Sequence, residues 1–458
     1  MNPVKSTFLF LFIIATCSTN AQLQLPYLFE KDDSLLKKKY FEQASQKQNT
    51  LIASLDKKYK DEYKKIYVKR FEQISELYKS RRVITEPEAH DYLQAILKKI
   101  IDVNPELKAL DIRLTFSRDW WPNAYSMGEG TLIINAGLVV YLHNEAELAF
   151  VLCHELSHYY LDHSGQAIKK YIDATNNEDL QKELKRLSKE EFRVNEQLSK
   201  LSQSLIFDSR KHSRSNEAEA DMQALQFMKK TGYDCQAIIT TLKMFDKVDE
   251  LSFFKPLDIE AVFNFKEYPF KKKWIQKESS IFGQLDESES SVGPNEKDSL
   301  KTHPDCTMRI ALVRDSINAS GKNKNLFIVN KILFNQLKKD FINEITEECF
   351  KENNLSRNLY YSLQLLEQKE NTSMAVFSGA RCLNMIYEKQ QQHKLGLAID
   401  TENKNYPEDY NLLLRMLARW RLDEIAAINN NFCKQYRDEM KDYPGFAEEA
   451  SKASRFNN

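Results

Sequence analysis

The chain has 458 residues, enough for two or three domains, and its 42% hydrophobic and 11% aromatic content excludes an intrinsically disordered protein. Lys plus Arg equals Asp plus Glu at 66 each, so no global field recruits nucleic acid or an anionic membrane surface. Glycine and proline number only 11 each while Leu, Lys, Glu, Gln and Ala recur, a balance that suits a mainly helical protein and excludes a β-sandwich.

At the start, Lys5 precedes the apolar run Phe8 to Ile14, and Thr19-Asn20-Ala21 offers small residues before Gln22. Residues 1–21 therefore read as a signal peptide cut after Ala21, predicting export to the periplasm. Secretion, or a lipid anchor through Cys17, is the weaker reading, since Thr16 is a poor neighbour for a modified cysteine. The apolar run falls short of the roughly 20 residues needed to span a bilayer, and no later segment is apolar enough to cross one. The other cysteines (153, 235, 306, 349, 382 and 433) form no close CxxC pair, so a thiolate zinc site is unsupported. An oxidising compartment would permit a disulfide among the last three.

Residues 22–82 read as an N-terminal helical segment, with a charged hairpin from Asp33 to Ser80 whose spaced apolar residues include Leu51, Leu55, Tyr59, Tyr63 and Tyr67. A core domain over 83–276 follows. Glu86 opens a helix with Tyr92, Ile96, Ile100 and Ile101 on one face, stopped by Asn104-Pro105. A strand at Ile112 to Phe116, a loop from Trp120 to Gly130, and a second strand at Thr131 to Asn135 come next. Asn144 and Glu147 form an N-terminal capping signature for a helix from Glu145 to about His163, apolar nearly all round over Leu148 to Cys153 and therefore central. Residues 169–211 read as a solvated helical insertion, and another helix runs from about Asn216 to Lys230 before Gly232. The aperiodic stretch 277–302 reads as a flexible linker or surface loop. Helical patterns return over 325–458, at Leu359 to Gln368, Ala375 to Gln390 and Leu412 to Phe432. They resemble degenerate tetratricopeptide units without a clean repeat of about 34 residues.

The chemistry is concentrated in His154-Glu155-Leu156-Ser157-His158. Two histidines four apart on a helix share a face and reach one cation, while Glu155, one step round, is placed to act as general base on a metal-bound water. On the helix from about Asn216, Glu217 and Asp221 share the core-facing stripe with Ala224, Leu225 and Met228. Buried carboxylates call for a cation or an N–H. Glu217 is accordingly read as the third metal ligand, and Asp221 as acceptor for the second N–H of a ligand histidine. Glu219, about 200° round the helix from Glu217, is expected in solvent. Two His, one Glu and a water make a catalytic zinc site, one ion per chain, suited to peptide hydrolysis. The edge of the strand bearing Thr131 and Ile133 would hold an extended substrate, and Asn123 and Ala124 are read as further substrate-binding residues. Arg214 is read as orienting either the substrate or Glu217, with a structural ion pair as the alternative. His163 falls five residues after His158, not six, and the glycine turn of a third-histidine site is absent; a hydrogen-bonded or surface histidine is the better reading. Cys153 reads as a packing residue.

These residues resemble the M48 peptidases, the family of the HtpX and Ste24 proteases. The resemblance rests on Asn123-Ala124-Tyr125, Gly128-Glu129-Gly130, Asn135-Ala136-Gly137-Leu138, Glu145-Ala146-Glu147-Leu148-Ala149, the His154–His158 motif, and the run from Ser213 to Asp221. It implies an α+β, mainly helical fold: a zincin-like metallopeptidase domain with a small sheet and the motif helix, followed by the helical C-terminal region. It maps the zinc-binding glutamate onto Glu217. It also marks Thr302-His303-Pro304 and Arg309-Ile310, within a 303–324 segment returning to the active site, where His303 would cap the metal at rest or stabilise the oxyanion. Without transmembrane helices, the chain looks like the exported branch typified by the periplasmic protease BepA. The role implied is quality control of misfolded or stalled envelope proteins, with the C-terminal helices contacting an assembly complex. The alternative is a chaperone-like assembly factor in which proteolysis is minor.

Overall fold

The computed structural model describes residues 32–178, 182, 214–247, 255–276, 306–318 and 324–457. The expected signal peptide with Cys17, most of the 169–211 insertion, the 277–302 linker and His303 lie outside the described residues.

Asp33 accepts hydrogen bonds from the backbone N–H groups of Leu35 and Leu36 and so starts α1 (Ser34–Ala53), on which α2 (Lys60–Lys79) packs back. Their shared core is Tyr40, Ala44, Ile74 and Tyr78, joined by Val83 where the hairpin meets the sheet. Leu51, Leu55, Tyr59, Tyr63 and Tyr67 are only half-buried, because they lie toward the hairpin tip.

The sheet has four strands, β1 (Val83–Ile84), β2 (Arg113–Ser117), β3 (Ala124–Ser126) and β4 (Thr131–Asn135), in the order β1-β2-β4-β3. The central pair β2 and β4 is parallel, with Leu114 opposite Leu132, while β1 and β3 are antiparallel to their neighbours. Both central strands are buried along their whole length. Helix α3 (Pro87–Val103) lies against β2, and Phe116 meets Phe341 at 4.9 Å between ring centroids.

Two expectations are corrected. The 120–130 stretch is not loop throughout: Ala124–Ser126 form the edge strand, too short and too close to Pro122 and Gly128 to show an alternating pattern. The strand Thr131–Asn135 is therefore interior, and Thr131 and Ile133, both fully buried, are sheet core and not a substrate-holding edge. Gly130 makes the reversal into β4 with φ +107°, and a Cβ there would sit 2.0 Å from the Asp111 carbonyl.

After β4 come α4 (Ala136–Tyr141), α5 (Glu145–Tyr160), α6 (His163–Thr175), a helix over residues 214–229 (α7), α8 (Gln236–Asp246) and α9 (Cys306–Asn318). The C-terminal helices are α10 (Lys331–Lys351), α11 (Leu355–Glu367), α12 (Thr372–Gln391), α13 (Glu408–Arg419), α14 (Leu422–Tyr436) and α15 (Phe446–Phe456). The expected helix over 412–432 is thus two, parted at Trp420-Arg421.

Burial divides the chain differently from the boundary read at 276. Phe334, Leu337, Phe341 and Ile345 of α10 pack into the core around α3, the sheet and α5. Leu257, Phe263 and Trp274 instead join the core of α11 to α15, where Trp274 meets Trp420 at 6.0 Å. The six described cysteines are free, including Cys349, Cys382 and Cys433. Among the described residues, no helix is long and apolar enough to cross a membrane.

Candidate metal centre

Helix α5 begins as its sequence demands: the Asn144 side chain accepts from the Glu147 N–H at 3.1 Å, and Glu147 reaches back to the His143 N–H at 2.6 Å. It is buried from Glu145 to Ser157. Ser157 fits this burial because its hydroxyl donates to the Cys153 carbonyl at 2.7 Å. The helix stops at Tyr160, short of the expected His163, since Asp162 takes a left-handed conformation (φ 53°) and caps α6. Cys153 is fully buried, and burial raises its thiol pKa, consistent with packing and not metal ligation.

His154 and His158 bring their Nε2 atoms to 3.1 Å of each other. Glu217, from α7, places one oxygen 3.5 Å from His154 Nε2 and the other 3.3 Å from His158 Nε2. These are the ligand atoms of one candidate metal site. A tetrahedral zinc with bonds of about 2.1 Å has ligand–ligand edges of about 3.4 Å, so each of these closest separations, the two to Glu217 ending on different oxygens, has the size of an edge of that tetrahedron. The other ring nitrogens are engaged: His154 Nδ1 lies 2.9 Å from Asp221 Oδ1, and His158 Nδ1 lies 2.9 Å from His163 Nδ1. Two imidazole lone pairs and a carboxylate thus converge on one point, which only a cation or a proton can satisfy. The residues fit a divalent metal.

The electrostatics agree. Burial disfavours charge on His154, but Asp221 and Glu217 overcome it and raise its pKa to about 10. Glu217 is held well below the usual carboxylate range: burial opposes its charge, and His154, His158 and Arg309 outweigh that cost. Asp221 is lowered for the same reasons, with Arg309 the leading partner. Glu155 is raised chiefly by burial, an effect to which the Glu217 charge adds. It lines a small cavity beside His154 with Ala124, Phe150, Val151, Phe245 and Arg309.

Arg309 is the residue that sequence reasoning underused. It arrives on α9, is buried, and donates from Nε and Nη2 to Asp221 at 2.5 and 2.8 Å, while its Nη1 sits 3.0 Å from Glu217. Its signal was its place in the Arg309-Ile310 pair. Arg214 opens α7 half-buried, three residues before Glu217. Asn123 accepts from the Asn135 N–H at 3.0 Å beside edge strand β3, which lies against α5. Glu219 is exposed as expected, yet it also lies 3.4 Å from buried His163. His163 is lowered by burial and by its neighbour His158.

A family model described as Peptidase family M48 matches residues 87–317, half of the chain. No curated protein matches it.

Proposed function

We propose, from the premise that this chain belongs to peptidase family M48 and is a metallopeptidase, that it is a zinc-dependent endopeptidase of exported proteins. The observation that carries the reading is the cluster of His154, His158 and Glu217, with closest separations of 3.1 to 3.5 Å between their ligating groups, beside a buried glutamate of raised pKa. Zinc bound there would polarise a peptide carbonyl and bring the pKa of a water toward about 7. Glu155 would be placed to accept a proton from such a water and to return it to the leaving amine, a task its raised pKa suits. Asp221 keeps His154 in the tautomer that presents Nε2, and Arg309 balances the two carboxylates of α7. An extended substrate would pair with the outer edge of β3, which pairs with no strand among the described residues, passing Ala124 at the cavity. Phe150, Val151 and Phe245 favour an apolar side chain at that wall.

Backbone pairing reads extension more than sequence, which supports unfolded or misfolded envelope proteins as substrates, in the periplasm to which the leader-like start directs the chain. The separate core of α11 to α15 supports a docking role toward an assembly complex. The test is zinc content and cleavage of an unfolded protein by wild type and Glu155→Gln. The variant should keep its zinc and lose at least about a hundredfold in kcat. Wild-type cleavage by the variant would overturn the mechanism.

A further inference from the structure

His158 meets Glu217 through Nε2, but among the described residues no carboxylate pairs with its Nδ1 as Asp221 does with that of His154. The turn after α5, forced by left-handed Asp162 and closed by its hydrogen bond to the Gly165 N–H at 3.2 Å, instead swings His163 back onto it. The His158 and His163 rings meet edge to face, with centroids 4.9 Å apart and an interplanar angle of 75°. Their Nδ1 atoms stand 2.9 Å apart, and His163 is 4% exposed. On its far side, His163 Nε2 faces Glu219 Oε2 at 3.4 Å.

Hydrogen positions along this chain follow from its end. An ionised carboxylate only accepts, so His163 Nε2 carries the proton that faces Glu219. A neutral imidazole with its proton on Nε2 has a bare Nδ1, which can only accept. The donor in the 2.9 Å contact is therefore His158 Nδ1–H, which leaves His158 Nε2 bare and aimed at the triangle with His154 and Glu217.

We propose that His163, backed by Glu219, is a positioning residue for the metal centre, fixing His158 in its Nδ1–H tautomer as Asp221 fixes His154. Helix α7 then serves the centre three times within five residues, through Glu217 as ligand, Asp221 behind His154 and Glu219 behind His163. The relay explains why α5 ends before His163: a continuous helix would carry residue 163 about 140° round the axis from residue 158. The Asp162 reversal restores the contact.

The proposal rests on His158 being a metal ligand, and the experiment separates the two readings. Zinc dissociation constants are measured by chelator competition on the full chain for wild type, His163→Leu, His163→Asn and Glu219→Ala, with the melting temperature of each metal-free protein alongside. His163→Leu, which has no acceptor, should bind zinc about ten- to a hundredfold more weakly. His163→Asn, whose amide oxygen can accept from His158, should recover most of that loss whatever its melting temperature. Exposed Glu219→Ala, which removes the acceptor facing His163 Nε2 and leaves the core untouched, should weaken binding by a few-fold and serves if His163→Leu does not fold. Wild-type affinity in His163→Leu, equal losses in the Leu and Asn variants, or, should His163→Leu not fold, unchanged affinity in Glu219→Ala would overturn the proposal. A wild type that takes up no zinc would instead overturn the reading of the site itself.

Discussion

At His154 the chemistry of the whole centre can be read from one ring. Its pKa of about 10 in the metal-free site means that a metal ion bound through its Nε2 must displace a proton there at neutral pH. Calorimetric titration near pH 7.5 in buffers of different ionisation enthalpy should show about one proton released per zinc; a heat independent of buffer would contradict this. The sign for folding follows. The folded pKa lies above the ordinary 6.5, so the stabilisation of the metal-free protein is complete below about 6.5 and is lost as pH rises through about 10. Arg309 is the second residue whose removal should be costly, because it is a buried cation bonded to Asp221 and facing Glu217. Replacement by Met leaves two carboxylates without their countercharge and should lower the unfolding free energy by about 3–5 kcal/mol in a denaturant titration of metal-free protein. A change under 1 kcal/mol would mean that the pair is bridged by other groups.

At the scale of elements, α5 is held at both ends by other parts of the chain. Its first residue, Glu145, is completely buried and accepts from Tyr92 and Tyr233 hydroxyls at 2.9 and 2.5 Å. It also accepts from the N–H groups of Ile328, Val329 and Asn330 at 2.7 to 3.0 Å. Those three residues lead into α10, so one carboxylate at the positive end of the helix dipole ties α5 to the C-terminal region. Glu145→Ala strands five donors and should cost about 3–5 kcal/mol by urea unfolding; a loss below 1 kcal/mol would show that water replaces the carboxylate freely. The sequence announced the start of α5 through Asn144 and Glu147 but not its end, because the stop depends on a left-handed Asp162 that no propensity demands. It likewise hid β3, whose three residues exist as a strand only by pairing with β4. Gly137, by contrast, has a cause visible only in the packed protein, since a Cβ there would lie 1.9 Å from the Trp120 carbonyl.

Across the whole molecule, the two cores share their boundary elements. Residues 255–276 cross to the C-terminal core, where buried Glu424 receives Lys273 Nζ at 2.8 Å and the Arg421 N–H at 3.2 Å. Burial works against its charge, and these partners with Trp274 still hold its pKa at about 2. The stability it contributes is present above the ordinary value near 4.5 and lost as pH falls through about 2. Acid unfolding should therefore show a smaller loss for Glu424→Gln than for wild type over that window; parallel curves would refute the pairing. The sequence by itself determined the mainly helical class, the α5 motif, and the pairing of Glu217 and Asp221 on one stripe. Those follow from composition and from the fixed angle per helical residue, which are local. Tertiary structure alone decided that β4 is interior, that α10 belongs partly to the catalytic core, that Arg309 closes the charge balance, and that His163 turns back to His158. Each depends on which distant surfaces bury one another, and neither periodicity nor spacing within one segment carries that information.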